Sequence, residues 1–325
     1  MDKYNESLEK FKSTRDCLKN NGVLESDLPF LFENKENKIG FLLIHGSESS
    51  PCNTIELGTK LFEKGYTTLG LLLNGHGTSP EALNSGKVTW VDCYNNAVEN
   101  LNLLQNLVDK VYVLGISFGG ALSYLLGIEF EKTLAGVIAI SAASHSKSNP
   151  PADNLCWKRQ LYDATKTVED HIQKLNVPTL ILHGSDDNLI RLRHASFAYD
   201  NAKTEQKKLI IYNKIGHCLG FGFNTNEIIR DIDNFISTYK EQKAVTFELE
   251  YKHATSVHLV GEFNNWDKNA TQMSFENGKW KVEILLSENK YQYKYLIDNH
   301  KWITDPNADI VNTPNGGKNS IIYIY

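Results

Sequence analysis

Between residues 41 and 236, short apolar runs alternate with longer stretches in which apolar positions recur every third or fourth residue. The short runs, rich in leucine and β-branched residues, predict buried strands at 41–45, 67–73, 111–115, 136–141, 179–183 and 208–212. The periodic stretches predict helices at 54–64, 90–107, 119–129, 168–175 and 226–239. Parallel neighbours need a crossover, so this alternation implies an α/β fold with a doubly wound, mostly parallel sheet under helices on both faces. Residues 28–33, followed by a polar turn, read as an antiparallel edge strand. Within an N-terminal extension of residues 1–25, residues 4–20 read as an amphipathic helix.

The polar run 240–243 ends this pattern. Beyond it lie short alternating runs at 245–251, 256–263, 279–286, 290–297 and 320–325, separated by turns rich in Asn, Gly and Asp. These predict a small all-β, immunoglobulin-like sandwich and divide the chain into residues 1–243 and 244–325. Strand parity puts Trp280, Val282, Ile284 and Leu286 on one face, which makes Trp280 a core residue. Along the next run Tyr291, Tyr293, Tyr295 and Ile297 share a face that excludes Lys294.

A length of 325 residues suits two domains, and 41% hydrophobic content is that of a globular chain. The net charge of −5 comes with no basic stripe, so neither nucleic acid nor an anionic membrane is an expected partner. Apolar runs such as 40–44 and 69–73 are far shorter than the roughly 18 residues a membrane helix needs. No apolar segment of a secretory signal opens the sequence. Cys17, Cys52, Cys93, Cys156 and Cys218 are scattered and form no CxxC pair, which suggests reduced thiols in the cytoplasm rather than a disulfide framework or a metal site.

The sharpest chemical signal is Gly115-Ile-Ser117-Phe-Gly119, a G-x-S-x-G motif placed between a predicted strand and a predicted helix. A serine at such a turn is strained and presents its hydroxyl, but it becomes a nucleophile only when a histidine takes its proton and an acid orients that histidine. His217 follows the last predicted strand, and Asp186 and Asp187 follow the strand at 179–183. The spacing His-Gly-x-x-Asp from His183 favours Asp187, with Asp186 as the alternative. His45, His76 and His183 also stand at strand ends, where hydrogen bonding of loops is their simplest role. After the strand at 41–45, the backbone N–H of Ser47 would join that of Phe118 in holding a developing oxyanion. No cofactor is needed for such chemistry.

These motifs, with Leu42-Leu-Ile-His-Gly46 and Asn74-Gly-His-Gly-Thr78, make residues 28–240 resemble the α/β-hydrolase superfamily, and within it the bacterial carboxylesterases and monoacylglycerol lipases. The resemblance implies a serine esterase with Ser117, Asp187 and His217 as triad. Two departures stand out. Ser47 takes a position where such esterases often have an aromatic residue, and the segment 142–177 is short for a cap, which favours an open site for short or bulky esters.

The second domain resembles the glycogen-binding module of the AMP-activated kinase β subunit and the related carbohydrate-binding family 48. The residues that carry this are Gly261-Glu-Phe-Asn-Asn-Trp-Asp267, Gly278-Lys-Trp280, Tyr291-Gln-Tyr-Lys-Tyr295, Asp298-Asn-His-Lys-Trp302 and Asn319-Ser-Ile-Ile322. The resemblance implies an α-glucan platform in which Trp266 and Trp302 stack on sugar rings and Lys294 and Asn319 bind hydroxyls. Asn315 and Gly317 depart from the family's loop. Together the two halves imply an esterase that deacylates a carbohydrate-associated or small ester. The alternatives are a generic short-chain esterase or monoacylglycerol lipase tethered to glucan, and a glucan-binding scaffold with an idle hydrolase domain.

Overall fold

The computed structural model describes residues 2–77, 83, 85–146, 150–151, 156–217, 219, 222–239, 242–287, 289–313 and 316–324. Thr78, Cys218 and Asn315 lie outside the described residues. The chain divides into two compact units, Met1–Phe235 and Ile236–Tyr325.

In the first unit, strands β1 (Phe30–Phe32), β2 (Ile39–Ile44), β3 (Thr67–Leu71), β4 (Lys110–Ile116), β5 (Leu134–Ile140), β6 (Thr179–Gly184) and β7 (Lys207–Tyr212) form one sheet in the order β1-β3-β2-β4-β5-β6-β7. All neighbours are parallel except β1, which runs antiparallel to β3 at the edge. β2, β4 and β5 are apolar and buried at nearly every position, as a sheet covered on both faces requires. The predicted inner strands are present with their ends moved by one or two residues.

The helices Ile55–Glu63, Trp90–Gln105, Phe118–Glu129 and Thr225–Thr238 match the predicted periods. Helix Trp90–Gln105 begins at a capping box in which Thr89 and Asp92 satisfy each other's backbone N–H groups. Helix Phe118–Glu129 is buried along most of its length, packed between the sheet and the helix Trp157–His171. Two helices depart from expectation. Trp157–His171 starts well before the predicted 168, and Arg193–Asn201 was not predicted at all. The N-terminal helix Lys3–Asn20 packs on this first unit: Ser7 is buried and accepts from Asn106 Nδ2 at 3.1 Å, and the Tyr4 hydroxyl donates to Glu33.

The second unit contains β8 (Gln242–Leu249), β9 (Val257–Gly261), β10 (Ser274–Glu276), β11 (Lys279–Ser287), β12 (Asn289–Ile297), β13 (Lys301–Ile303), β14 (Asp309–Asn312) and β15 (Lys318–Ile324). They form two antiparallel sheets, β10-β11-β8 and β13-β12-β15-β14, with β9 on the second edge of β12. Phe247, Leu249, Leu259, Trp280, Tyr293 and Tyr295 fill the space between them. Trp280 donates its indole N–H to the Tyr251 carbonyl at 3.0 Å, which satisfies the polar atom of a buried ring. Tyr293 and Tyr295 place their hydroxyls 2.7 and 3.0 Å from one carboxylate oxygen of Asp305. Burial raises both tyrosine pKa values, and the nearby carboxylate raises them further.

Candidate active site

β4 runs directly into Ser117, which adopts φ 55° and ψ −113° and serves as N-cap of the helix Phe118–Glu129. Left-handed φ at a residue with a side chain is costly, and the surrounding packing enforces it. A methyl group on Gly115 would stand 2.1 Å from the Gly119 carbonyl oxygen, and one on Gly119 would stand 2.2 Å from that of Ile44. Both flanking glycines of the motif are thus required by close backbone approach.

The Ser117 hydroxyl lies 3.1 Å from His217 Nε2, and His217 Nδ1 lies 2.7 Å from Asp187 Oδ2. The other oxygen of Asp187 accepts the N–H groups of Leu189 and Ile190 at 3.0 and 2.8 Å. The Asp187 side chain has no exposed surface, whereas Asp186 is exposed and accepts from its neighbour Ser185 Oγ. The structure therefore brings Asp187, not Asp186, against the histidine. In chemical terms, an alcohol facing an imidazole that is held by a buried carboxylate can lose its proton to Nε2 and act as a nucleophile.

Gly46 packs on the serine: a methyl there would be 3.4 Å from the Ser117 Cβ. Ser47 follows in the same loop. Phe118 is the first residue of its helix, where no preceding turn offers a carbonyl to its N–H. His45, fully buried, accepts from the Leu73 N–H at Nε2 (3.0 Å), so Nδ1 carries the proton that it donates to the Gly46 carbonyl (2.8 Å). Burial pushes its pKa down to about 3, which keeps it neutral. His183 is likewise lowered by burial and donates to the Ile190 carbonyl from Nε2 at 2.8 Å.

Ser117, His217, Ser47 and Phe118 line a cavity of about 420 Å³ together with Ile116, Ala143, Leu161, Leu189 and Ile190. The helix Trp157–His171 supplies Leu161, and its first residue donates to the Ser47 hydroxyl: Trp157 Nε1 stands 2.7 Å from Ser47 Oγ. Nothing local in the sequence marked Trp157 or the bond of His183 to Ile190, since both depend on tertiary approach.

In the second unit, Lys294 pairs with Val260 and Leu296 with Trp302, while Ser320 pairs with Tyr293. Parity therefore places Lys294, Trp302 and Asn319 on the face opposite the tyrosine core. Trp302 is 38% exposed, with Lys268 Nζ 5.7 Å from its ring centre. Asn319 Nδ2 donates to Gln292 Oε1 at 3.0 Å, so Gln292 is an added polar member of this face. Trp266 sits half-buried with φ 58° in the turn that follows β9.

Residues 35–158 and 151–222 match the family model described as serine aminopeptidase, S33. Residues 244–325 match the glycogen recognition site of AMP-activated protein kinase. A carboxylesterase of Bacillus subtilis is 22% identical over 244 residues, covering 64% of this chain and 95% of that protein. Human monoglyceride lipase is 34% identical over 85 residues, 26% of this chain and 28% of the lipase. A solved structure from work on the metagenome-derived lipolytic enzymes LipS and LipT superposes with a TM-score of 0.61 at 22% identity, covering 66% of this chain and 99% of that one.

Proposed function

Since the chain belongs to the serine aminopeptidase S33 family of α/β-hydrolases and carries a glycogen-recognition module at its C-terminal end, we propose that it is a serine hydrolase of carboxylic esters. The observation that carries this reading is the continuous relay from Ser117 Oγ through His217 to Asp187 at 3.1 and 2.7 Å. Ester rather than peptide substrates are favoured by the relatives named carboxylesterase and monoglyceride lipase.

Ser117 Oγ attacks the ester carbonyl carbon as its proton passes to His217 Nε2. The carbonyl oxygen becomes an oxyanion held by the N–H groups of Ser47 and Phe118. The imidazolium then gives its proton to the departing alcohol, leaving an acyl group on Ser117. Water gives a proton to His217 as it attacks that acyl group, and the imidazolium returns the proton to Ser117 Oγ as the acyl–oxygen bond breaks and the acid leaves. Asp187 fixes the tautomer of His217 and balances the imidazolium charge. No cofactor enters these steps.

For the substrate we propose a small or carbohydrate-associated ester, with the second unit binding α-glucan through Trp266, Lys294, Trp302 and Asn319. An indole offers a flat apolar surface to the C–H face of a sugar, and the amide and ammonium offer partners to its hydroxyls. The apolar lining of the cavity, with Leu161, Leu189 and Ile190, favours a second reading in which the ester is simple and the glucan module only localises the enzyme. Among the described residues no helix is long and apolar enough to cross a membrane. The thiols of Cys17, Cys52 and Cys93, which form no disulfide, agree with a cytoplasmic setting.

An acyl-chain-length series, run with and without soluble glucan and on acetylated glucan oligomers beside matched simple esters, tests this function. Faster turnover of the glucan esters supports the carbohydrate-associated substrate, and equal rates support the tether. A chain that turns over no ester and whose Ser117 is not labelled by a fluorophosphonate would be a scaffold instead.

A further inference from the structure

We propose that Trp157 is a positioning residue that sets the direction of the oxyanion-binding N–H of Ser47. This rests on the reading of Ser117 as nucleophile. The peptide group joining Gly46 to Ser47 is a single planar unit whose C=O and N–H point opposite ways. Its carbonyl is held by His45 Nδ1 at 2.8 Å. At the other end of the unit, the Ser47 side chain is held by the Trp157 indole N–H at 2.7 Å. The proposed donor is thus fixed from both sides, by His45 at the end of β2 and by an indole on a helix far along the chain.

The same indole reaches the second donor residue. Its ring meets Phe118 edge-on at 5.5 Å and 78°, and His76 at 5.3 Å and 74°. Trp157 is 1% exposed, so its orientation is determined by these contacts rather than by solvent. An indole N–H only donates, and a buried one left without an acceptor costs free energy, so Ser47 Oγ and Trp157 Nε1 hold each other in place. One side chain therefore touches both residues whose N–H groups would face the developing charge. The strength of a preorganised donor depends on its aim, which is what this contact controls.

The test is steady-state hydrolysis of p-nitrophenyl acetate by the full chain, the Trp157→Phe and Ser47→Ala variants and the double variant. Phenylalanine keeps a ring against Phe118 and His76 but has no N–H. Loss of a whole oxyanion donor costs about 10²–10³ in rate, so misdirecting one should lower kcat about 10-fold in each single variant, with KM changed less than about two-fold. The double variant should be no slower than the slower single one, because both remove the same bond. Affinity for phenylboronic acid, which forms a tetrahedral adduct on serine, should fall in step with kcat/KM. Parental kcat in Trp157→Phe, or losses that add in the double variant, would overturn the proposal, even if the unfolding midpoint drops. Should Trp157→Phe not fold, Ser47→Ala removes the same bond from the half-buried loop side, and parental kcat there overturns the proposal equally. A parent that hydrolyses no ester and escapes fluorophosphonate labelling would refute the nucleophile reading itself, an outcome distinct from an active parent with an indifferent Trp157.

Discussion

His183 Nε2 donates to the carbonyl of Ile190, and the N–H of that same Ile190 is bound to Asp187 Oδ1, both at 2.8 Å. A fully buried imidazole thereby locks the turn that aims the acid at His217. His183→Leu should remove this bond at a cost of roughly 1–3 kcal/mol, read as a lower urea midpoint. Loss of aim at Asp187 should also reduce kcat, by up to about 100-fold. Unaltered turnover in a destabilised variant would show that the lock serves stability alone.

The two neighbouring carboxylates should differ sharply. Asp187→Asn removes the buried partner of His217 Nδ1 and should lower kcat by about 10⁴-fold, as expected when the imidazole is left in the wrong tautomer. Asp186→Asn changes an exposed group bonded to Ser185 and should leave kcat within about two-fold. Ser117→Ala should abolish both turnover and fluorophosphonate labelling. The reverse order of the two aspartates in a p-nitrophenyl acetate assay would reassign the acid.

Acid should unfold the first unit through its histidines. Burial lowers the pKa of His45 to about 3 and that of His194 to about 4, and lowers His76 and His183 as well. In the unfolded chain each takes up a proton near 6.5, whereas the folded chain stays neutral to lower pH. The unfolded state therefore binds more protons in this window, so stability is full above about pH 6.5 and is lost as pH falls toward 4. Each site contributes at most about 1.4 kcal/mol per pH unit. His194 also accepts from the N–H groups of Ser144 and His145 at 3.2 Å, and protonation would cancel that acceptor. Urea midpoints between pH 7 and 4 should fall steadily, and His194→Gln should flatten the slope.

Among the tryptophans of the second unit, Trp302→Ala should abolish glycogen or β-cyclodextrin pull-down while lowering the unfolding midpoint far less than Trp280→Ala, because the residue is 38% exposed. Trp280→Ala should instead cost roughly 3–5 kcal/mol, since it empties the core and frees the Tyr251 carbonyl. Retained pull-down in Trp302→Ala and Trp266→Ala would remove the platform.

Much of this architecture is legible in the sequence, because buried parallel strands are written as short apolar runs and the elbow as two glycines around a serine. Arg193–Asn201 escaped because its buried face is made of His194, Ala195 and Ala198, too small and polar to give an apolar period. Trp157–His171 escaped at its start because Lys158, Arg159 and Asp163 dilute the spacing of Trp157, Leu161, Ala164 and Val168. The strands Ser274–Glu276 and Lys301–Ile303 are short and mostly exposed, so they carry little alternation. Within the site, Ser117, Asp187 and His217 each follow a strand and could be named from that position. The contact of Trp157 with Ser47 joins residues 110 apart and leaves no local trace.

The left-handed backbone of Ser117 sets stability against usefulness at a single position. Glycine adopts φ near +55° without the steric cost that a side chain pays there, of order 1–3 kcal/mol for such conformations. A population of variants sorted only for resistance to heat or denaturant would thus be drawn toward Ser117→Gly, a sturdier and chemically silent protein. On the proposed reading of Ser117 as nucleophile, this strain is the cost of holding its hydroxyl toward His217.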